Sequence, residues 1–218
     1  MHQNNQKTQQ DACLVCGQPL LKDISLIHLI NNYSLCLSCM KKFEILNWKF
    51  YFNHYHLTIL YLYNDFFKTL LFQYKGQYDY LLKDVFVDLY KQEFNQRYKD
   101  YIIVPIPSSK EDNQVRGFAP MKEIALTFSS HLFLGLYKKQ KYKQSDMPYH
   151  LRNQNNDLLS IHQGNQLLNK KVLLFDDVFT SGNTISSALK LIELYHPQSI
   201  EILILSTKRS KEEIDQFL

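Results

Sequence analysis

The sequence predicts an α/β domain, a parallel sheet flanked by helices, with a small four-cysteine module at its N-terminus. Three observations carry this prediction. Within the strands read at 171–175 and 199–205, Val172–Phe175 and Ile202–Leu205 are continuous apolar runs, the pattern of parallel strands buried on both faces; half-exposed strands would alternate. Helical patterns are interleaved with these runs, as when crossover helices connect parallel strands. All four cysteines cluster at positions 13, 16, 36 and 39. A chain of 218 residues holds one full core and an appendage. The expected division is 1–45 for the cysteine module, its first residues disordered, and 46–218 for the α/β domain.

Composition narrows the class. Hydrophobic residues at 45% and charged residues at 21% exclude wholesale disorder. A net charge of +4 is too small by itself to imply nucleic acid. The first residues, Met-His-Gln-Asn-Asn-Gln, lack the apolar stretch of a secretory signal. No run approaches the roughly 18 apolar residues of a membrane span. A soluble, cytoplasmic protein is expected.

The cysteines read C-x2-C, nineteen residues, C-x2-C. In the absence of export, disulfides are disfavoured, whereas two such knuckles suit four thiolates converging on zinc at about 2.3 Å. Gly17 supplies the left-handed geometry that such a turn often uses. The apolar stretch from Leu20 to Ile30 reads as a hairpin between the knuckles. With Cys13, Cys16, Cys36 and Cys39 all cysteine, no coordination position stays open for chemistry, so the expected Zn2+ is structural.

Residues 43–74 are dense in Phe, Tyr, Leu and Ile, and 57–63 read as a strand by aromatic and β-branched content. A helical stripe follows at 65–74, ended by Gly76. Residues 79–96 read as one amphipathic helix with Leu81, Val85, Phe86, Leu89 and Tyr90 on its buried face. A short strand at 101–104 is closed by Pro105 and Pro107. A helix at 118–128, a strand at 132–136 and a polar loop at 138–164 come next. The strand 171–175, a helix at 184–195 and the strand 199–205 complete the order.

Residues 172–184, Val-Leu-Leu-Phe-Asp-Asp-Val-Phe-Thr-Ser-Gly-Asn-Thr, carry the most chemistry. A buried strand runs into Asp176 and Asp177, and a small-residue loop then opens a helix. Ligands of open α/β sheets bind at the carboxyl ends of strands, and loop amides with a helix N-terminus make an anion site. Thr180, Ser181, Asn183 and Thr184 add polar side chains, and Gly182 lets the backbone approach closely. The acids then need vicinal hydroxyls or Mg2+. Together these features suit a ribose 5-phosphate group, phosphate in the loop and sugar on the carboxylates.

This string resembles the phosphoribosyl-diphosphate (PRPP) motif of type I phosphoribosyltransferases. With the four cysteines, the chain resembles the ComF family of competence proteins. Val104-Pro105-Ile106-Pro107-Ser108 is similar to that family's strand into the pyrophosphate loop, and Arg116-Gly117-Phe118 to its R-G-F. Gln144, Arg152 and Asn155 fall on its Q…R…N segment. Ala119-Pro120 stand where the family usually has Asn-Gln, and Lys141 where Thr is frequent. The resemblance implies a type I phosphoribosyltransferase-like sheet, with PRPP or a related phosphoribosyl ligand held together with Mg2+. It also implies a place in DNA uptake and transformation, beside single-stranded DNA and a helicase-like (ComFA-like) partner.

Displacing pyrophosphate from the anomeric carbon requires cations around the leaving group. Asp176, Asp177 and Arg116 are the catalytic candidates, and Lys110 is a further ligand-binding candidate. No base-recognition signature is evident; the resemblance implies a variable hood for that work, whose expected source is the aromatic segment 43–74, and those rings read as core rather than as a stacking platform. Between residues 137 and 152, Lys138, Lys139, Lys141, Lys143 and Arg152 interleave with Tyr137, Tyr142 and Tyr149. Cations on the backbone and aromatics under bases are what single strands need. Two functions therefore stand side by side. One is a competence factor with a phosphoribosyl-binding pocket and a single-strand or partner surface. The other is an active phosphoribosyltransferase acting on a nucleobase or related amine.

Overall fold

A computed structural model describes residues 12–20, 33–139 and 159–215. Its strands are β1 (Ile45–Phe52), β2 (Tyr55–Leu62), β3 (Tyr101–Pro105), β4 (Leu136–Lys138), β5 (Leu159–Ile161), β6 (Lys171–Phe179) and β7 (Ser199–Thr207). The helices are α1 (Leu37–Met40), α2 (Asp65–Gly76), α3 (Lys91–Arg97), α4 (Lys110–Arg116), α5 (Pro120–Ala125), α6 (Asn183–Glu193) and α7 (Lys211–Asp215). Five strands form one sheet in the order β1-β2-β7-β6-β3. Four of them run parallel, and β1 turns back antiparallel on β2 at one edge. Strands β4 and β5 make a separate antiparallel pair.

Each face of the sheet carries its own core. On one face α6 lays Ile185, Ala188, Leu189 and Ile192 against Val172, Leu174, Ile202 and Ile204. The opposite face is aromatic, with Tyr61, Phe67, Tyr74, Phe86 and Phe175 all at most 1% exposed. Buried rings contribute roughly 1.5–3 kcal/mol each, and edge-on pairs such as Phe67–Phe86, 5.7 Å apart, add to that. The aromatic segment 43–74 thus supplies a sheet edge, a strand and a core helix. Its helix α2 starts where the Asn64 side chain accepts a hydrogen bond from the Phe67 amide at 2.9 Å.

The N-terminal cysteine segment packs on the aromatic face. Cys13, Leu35, Cys36, Cys39 and Phe43 join the same cluster as Tyr61 and Phe67. The Ser34 amide donates to the buried Asp88 carboxylate at 2.7 Å.

Several elements depart from the sequence expectation. Residues 79–96 are two 3₁₀ turns, Tyr80–Asp84 and Asp88–Tyr90, followed by α3. The reason is that Val85, Phe86 and Val87 are all buried at 0%. A helix turns 100° per residue and cannot bury three consecutive side chains on one face. Leu81, expected in the buried stripe, is 60% exposed. Residues 110–116, between the expected strand and helix and given no element of their own, are helix α4, because Ser109 caps it through the Asp112 amide and Gly117 ends it. The helix expected at 118–128 is confined to α5, begun by Pro120 at its first turn. The strand expected at 132–136 is one bridge, Leu132 to Ile103, and then β4. Both strands expected to end at 175 and 205 run further, to Phe179 and Thr207.

One flaw in the aromatic core is testable. The Tyr61 hydroxyl is buried and has no hydrogen-bond partner among the described residues, which costs about 1–3 kcal/mol. Tyr61→Phe is expected to stabilise the fold by about 1 kcal/mol, read as a higher urea midpoint at unchanged slope. A lower midpoint would show that the hydroxyl is satisfied.

Candidate functional site

The site is built where β6 outruns β3. Strand β3 stops at Pro105, opposite Phe175, and the last bond between them is the Ile106 amide to the Phe175 carbonyl at 2.8 Å. Strand β7 continues alongside, pairing Asp176 with Ile204 and Phe179 with Thr207. Asp176 and Asp177 are therefore not past the strand, as the sequence suggested, but within it. Side-chain alternation slips here, since Phe175 and Val178, three residues apart, pack against the same core. The Asp177 amide donates to the Asp176 carboxylate at 2.9 Å, and the Asp177 carbonyl accepts from the Ser206 hydroxyl at 3.0 Å.

Both acids face the ammonium of Lys75, at the end of α2. Lys75 forms an ion pair with Asp177, and its charge also acts on Asp176. Burial pushes the Asp176 carboxyl up to about 6, against the pull of Lys75 and Lys138. Burial likewise draws the Lys75 ammonium down to about 8, against the pull of Asp176. Lys75 was missed in the sequence: it lies about a hundred residues upstream of the acids with no motif around it. Only the fold brings it here.

The loop after β6 leads through Gly182, in left-handed conformation at φ 71°, into α6. Thr180, Ser181, Asn183 and Thr184 are exposed around it. The first turn of α6 holds no acidic residue, so its free amides present an undiluted positive end. A Cβ at position 182 would stand 2.7 Å from the Phe52 ring and 3.3 Å from that of Phe179. Phe52, at the tip of the β1–β2 hairpin, is thus a wall of the loop that sequence reading did not identify. Strand β7 braces the other side: the Thr207 hydroxyl donates to the Phe179 carbonyl at 3.2 Å. The Arg209 guanidinium donates to the Thr180 carbonyl.

The remaining predicted cations divide. Arg116 donates from Nε to the Lys75 carbonyl at 2.8 Å and leans over the Phe118 ring. It meets the acids only through Lys75. Arg116, Phe118, Lys122 and Glu123, with Tyr78 and Tyr80, line an open cleft of about 510 Å³. Lys110 is exposed at the start of α4. Lys138 and Lys139 are exposed, and Lys138 lies close enough to act on Asp176. Lys141, Tyr142, Lys143, Gln144, Tyr149, Arg152 and Asn155 lie outside the described residues, as does most of the expected hairpin between the cysteines.

The four cysteine sulfurs lie within 4.8 Å of one another, with Cys16 and Cys36 3.6 Å apart. Thiolates about 2.3 Å from a tetrahedral ion stand roughly 3.8 Å from each other, so the cluster can hold a metal ion. Gly17, at φ 72°, turns the first knuckle, and its amide bonds the Cys13 carbonyl at 2.9 Å. The second knuckle is the start of α1. Burial raises the Cys13 thiol, but amides of Cys36, Cys16 and Val15 outweigh it and bring the group down to about 7. Burial holds Cys36 and Cys39 above the ordinary thiol range.

A model of the phosphoribosyl transferase domain matches residues 81–218, more than half of the chain. Competence protein ComFC of Streptococcus pneumoniae is 27% identical over 206 residues, 83% of this chain and 93% of its own length. Competence protein ComFC of Bacillus subtilis is 27% identical over 138 residues, 61% of this chain and 56% of its own. Among solved structures, a hypoxanthine phosphoribosyltransferase of Staphylococcus aureus has a TM-score of 0.35 at 19% identity, covering 59% of this chain and 68% of its own.

The Asp176 environment has a pH signature. A carboxyl held at about 6 in the fold, against about 4 unfolded, favours the protonated folded form. Its contribution to stability is full below about pH 4 and is lost as the pH rises through about 6. Asp176→Asn keeps an acceptor for the Asp177 amide and removes the charge. It is expected to be more stable than wild type at about pH 7.5, the gap closing toward about pH 4. Urea midpoints that differ equally at both pH values would exclude Asp176 as the origin.

Proposed function

The chain belongs to the phosphoribosyl transferase domain family, and from that premise we propose that it binds PRPP or a related phosphoribosyl ligand as a ComFC-like competence factor. One observation carries the reading: two acids on a strand extension that leads, through a short loop, to a left-handed glycine and a helix N-terminus free of acids. Thr180, Ser181, Gly182, Asn183 and Thr184 hold the 5-phosphate. Asp176 and Asp177 take the ribose hydroxyls, directly or through Mg2+. When bound, Mg2+ neutralises charge on the diphosphate. Lys110 adds positive charge on the pyrophosphate side. Arg116 fixes the Lys75 backbone and so the position of the cation nearest the acids.

The likeness to competence proteins of two bacteria supports a role in competence, and a cytoplasmic place in DNA uptake is the reading proposed with it. The segment 137–152 would then meet single-stranded DNA, its exposed Tyr137, Lys138 and Lys139 giving the described end of that surface. A helicase-like partner would dock beside it. Turnover as a phosphoribosyltransferase is the second reading, favoured by the intact acid pair and loop. Pyrophosphate release from PRPP in the presence of nucleobases separates the two.

Calorimetry and thermal unfolding test the binding step. Ligand at about a thousand times its dissociation constant stabilises by about 4 kcal/mol. PRPP with Mg2+ is expected to raise the melting temperature of the wild type by several degrees, and that of Asp177→Asn by much less. No protection of the wild type at millimolar PRPP would sink the assignment.

The cysteine cluster is assigned as structural Zn2+, worth on the order of 10 kcal/mol in small modules. Cys36→Ser is expected to lose the metal. It should also loosen the aromatic core, because Leu35 and Cys36 pack into it. Protein purified under reducing conditions without zinc by elemental analysis would refute the assignment.

A further inference from the structure

We propose that Lys75 is the resident counter-cation of the acid pair: a divalent ion must displace it from Asp177, and the displaced ammonium then pairs with the anionic oxygens of the phosphoribosyl ligand. The second half rests on the function proposed above, while the first does not.

The geometry carries the idea. The Lys75 and Asp177 side chains are 26% and 14% exposed, at the mouth of the site rather than deep beneath it. The Lys75 main chain is fixed at the end of α2, its carbonyl held by Arg116 at 2.8 Å. Only the four-carbon stem is left to move, and a flexible stem carrying a compact charge is what lysine provides. Among the described residues, the charged groups acting on the ammonium are Asp177, Asp176, Arg116 and Lys138. Two of these four are cations, and they oppose a resting place for Lys75 once it is parted from Asp177.

An unpaired charge in a largely buried place is costly. A ligand that brings a divalent ion and a diphosphate together removes that difficulty. The ion takes the carboxylates, and the diphosphate takes the ammonium. Every charge changes partner and none is left alone. A bare divalent ion offers Lys75 no new partner and must work against it. Lys75 therefore opposes the ion alone and favours the ion with its ligand.

The two effects have opposite signs, which a merely structural lysine would not produce. Full-length, zinc-loaded wild type, Lys75→Met and Lys75→Arg would be titrated with Mn2+ alone by electron paramagnetic resonance. PRPP binding at saturating Mg2+ would be followed by calorimetry. Lys75→Met is expected to bind Mn2+ about tenfold tighter and PRPP about tenfold weaker, with Lys75→Arg near wild type in both. Adding Asp177→Asn to Lys75→Met should abolish the Mn2+ gain. Unchanged or weaker Mn2+ binding by Lys75→Met overturns the proposal, even where wild type binds PRPP and the functional reading stands. A Mn2+ gain with no PRPP binding by wild type keeps the counter-cation but overturns the exchange together with the function. Should Lys75→Met melt early, Lys75→Arg decides: its Mn2+ affinity must stay at the wild-type value, and a tenfold gain there overturns the idea.

Discussion

The site depends on one strand keeping a neighbour after losing another. As far as Phe175, β6 is bonded on both sides; beyond it, among the described residues, only β7 remains. The ladder between β3 and β6 closes one residue past Pro105, where the Ile106 amide donates to the Phe175 carbonyl. The extension stays straight because β7 goes on to Thr207, and it is open because β3 does not. That asymmetry lets two carboxylates sit at the rim of an apolar sheet with one flank held and the other available. Polar residues at the end of β7 complete the brace: Ser206 and Thr207 are fully buried and each donates to a β6 carbonyl.

The aromatic face and the acid site are tied through α2. The same helix that buries Phe67, Leu70, Leu71 and Tyr74 in the core ends with Lys75 against the acids. Tyr74 fixes the helix further by donating to the Pro120 carbonyl at 2.9 Å. Residues Ala119-Pro120, which depart from the Asn-Gln of the family they resemble, thus begin α5 and provide that acceptor. The cysteine cluster connects to the same face through Asp88, whose burial pushes it up to about 7 against the amides of Ser34 and Leu35. The cysteine cluster, the aromatic core and, through α2, the acid pair are thus linked along one face of the sheet.

The parallel strands, the cysteine knuckles and the acid–loop–helix unit were legible because each is local. Burial on both faces shows as a continuous apolar run, and ligand spacing and capping chemistry span a few residues. Helix α4 was legible too but overlooked: Ser109 with Asp112 three positions on, and Gly117 just past the end, are ordinary start and stop signals. The break of residues 79–96 could be seen only in the consecutive Val85-Phe86-Val87, whose joint burial depends on tertiary surroundings. Lys75 and Phe52 gave no signal, because their importance arises from the fold bringing α2 and the β1–β2 hairpin onto β6. The sequence offered candidate ligand-holding groups, whereas the groups that restrain them emerged only with the topology.

The approach of Phe52 to Gly182 has a consequence for change over time. The ring at the hairpin tip occupies the volume that any side chain at 182 would need. The two positions, in separate stretches of the chain, therefore share one vacancy. A larger residue in the loop becomes acceptable only with a smaller one on the hairpin, and even then the left-handed backbone at 182 resists it. Such coupling makes the order of substitutions matter: the hairpin can be trimmed first and the loop altered afterwards, while the reverse route passes through a clash. The loop at Gly182 is thereby guarded from drift by a residue that has no chemistry of its own.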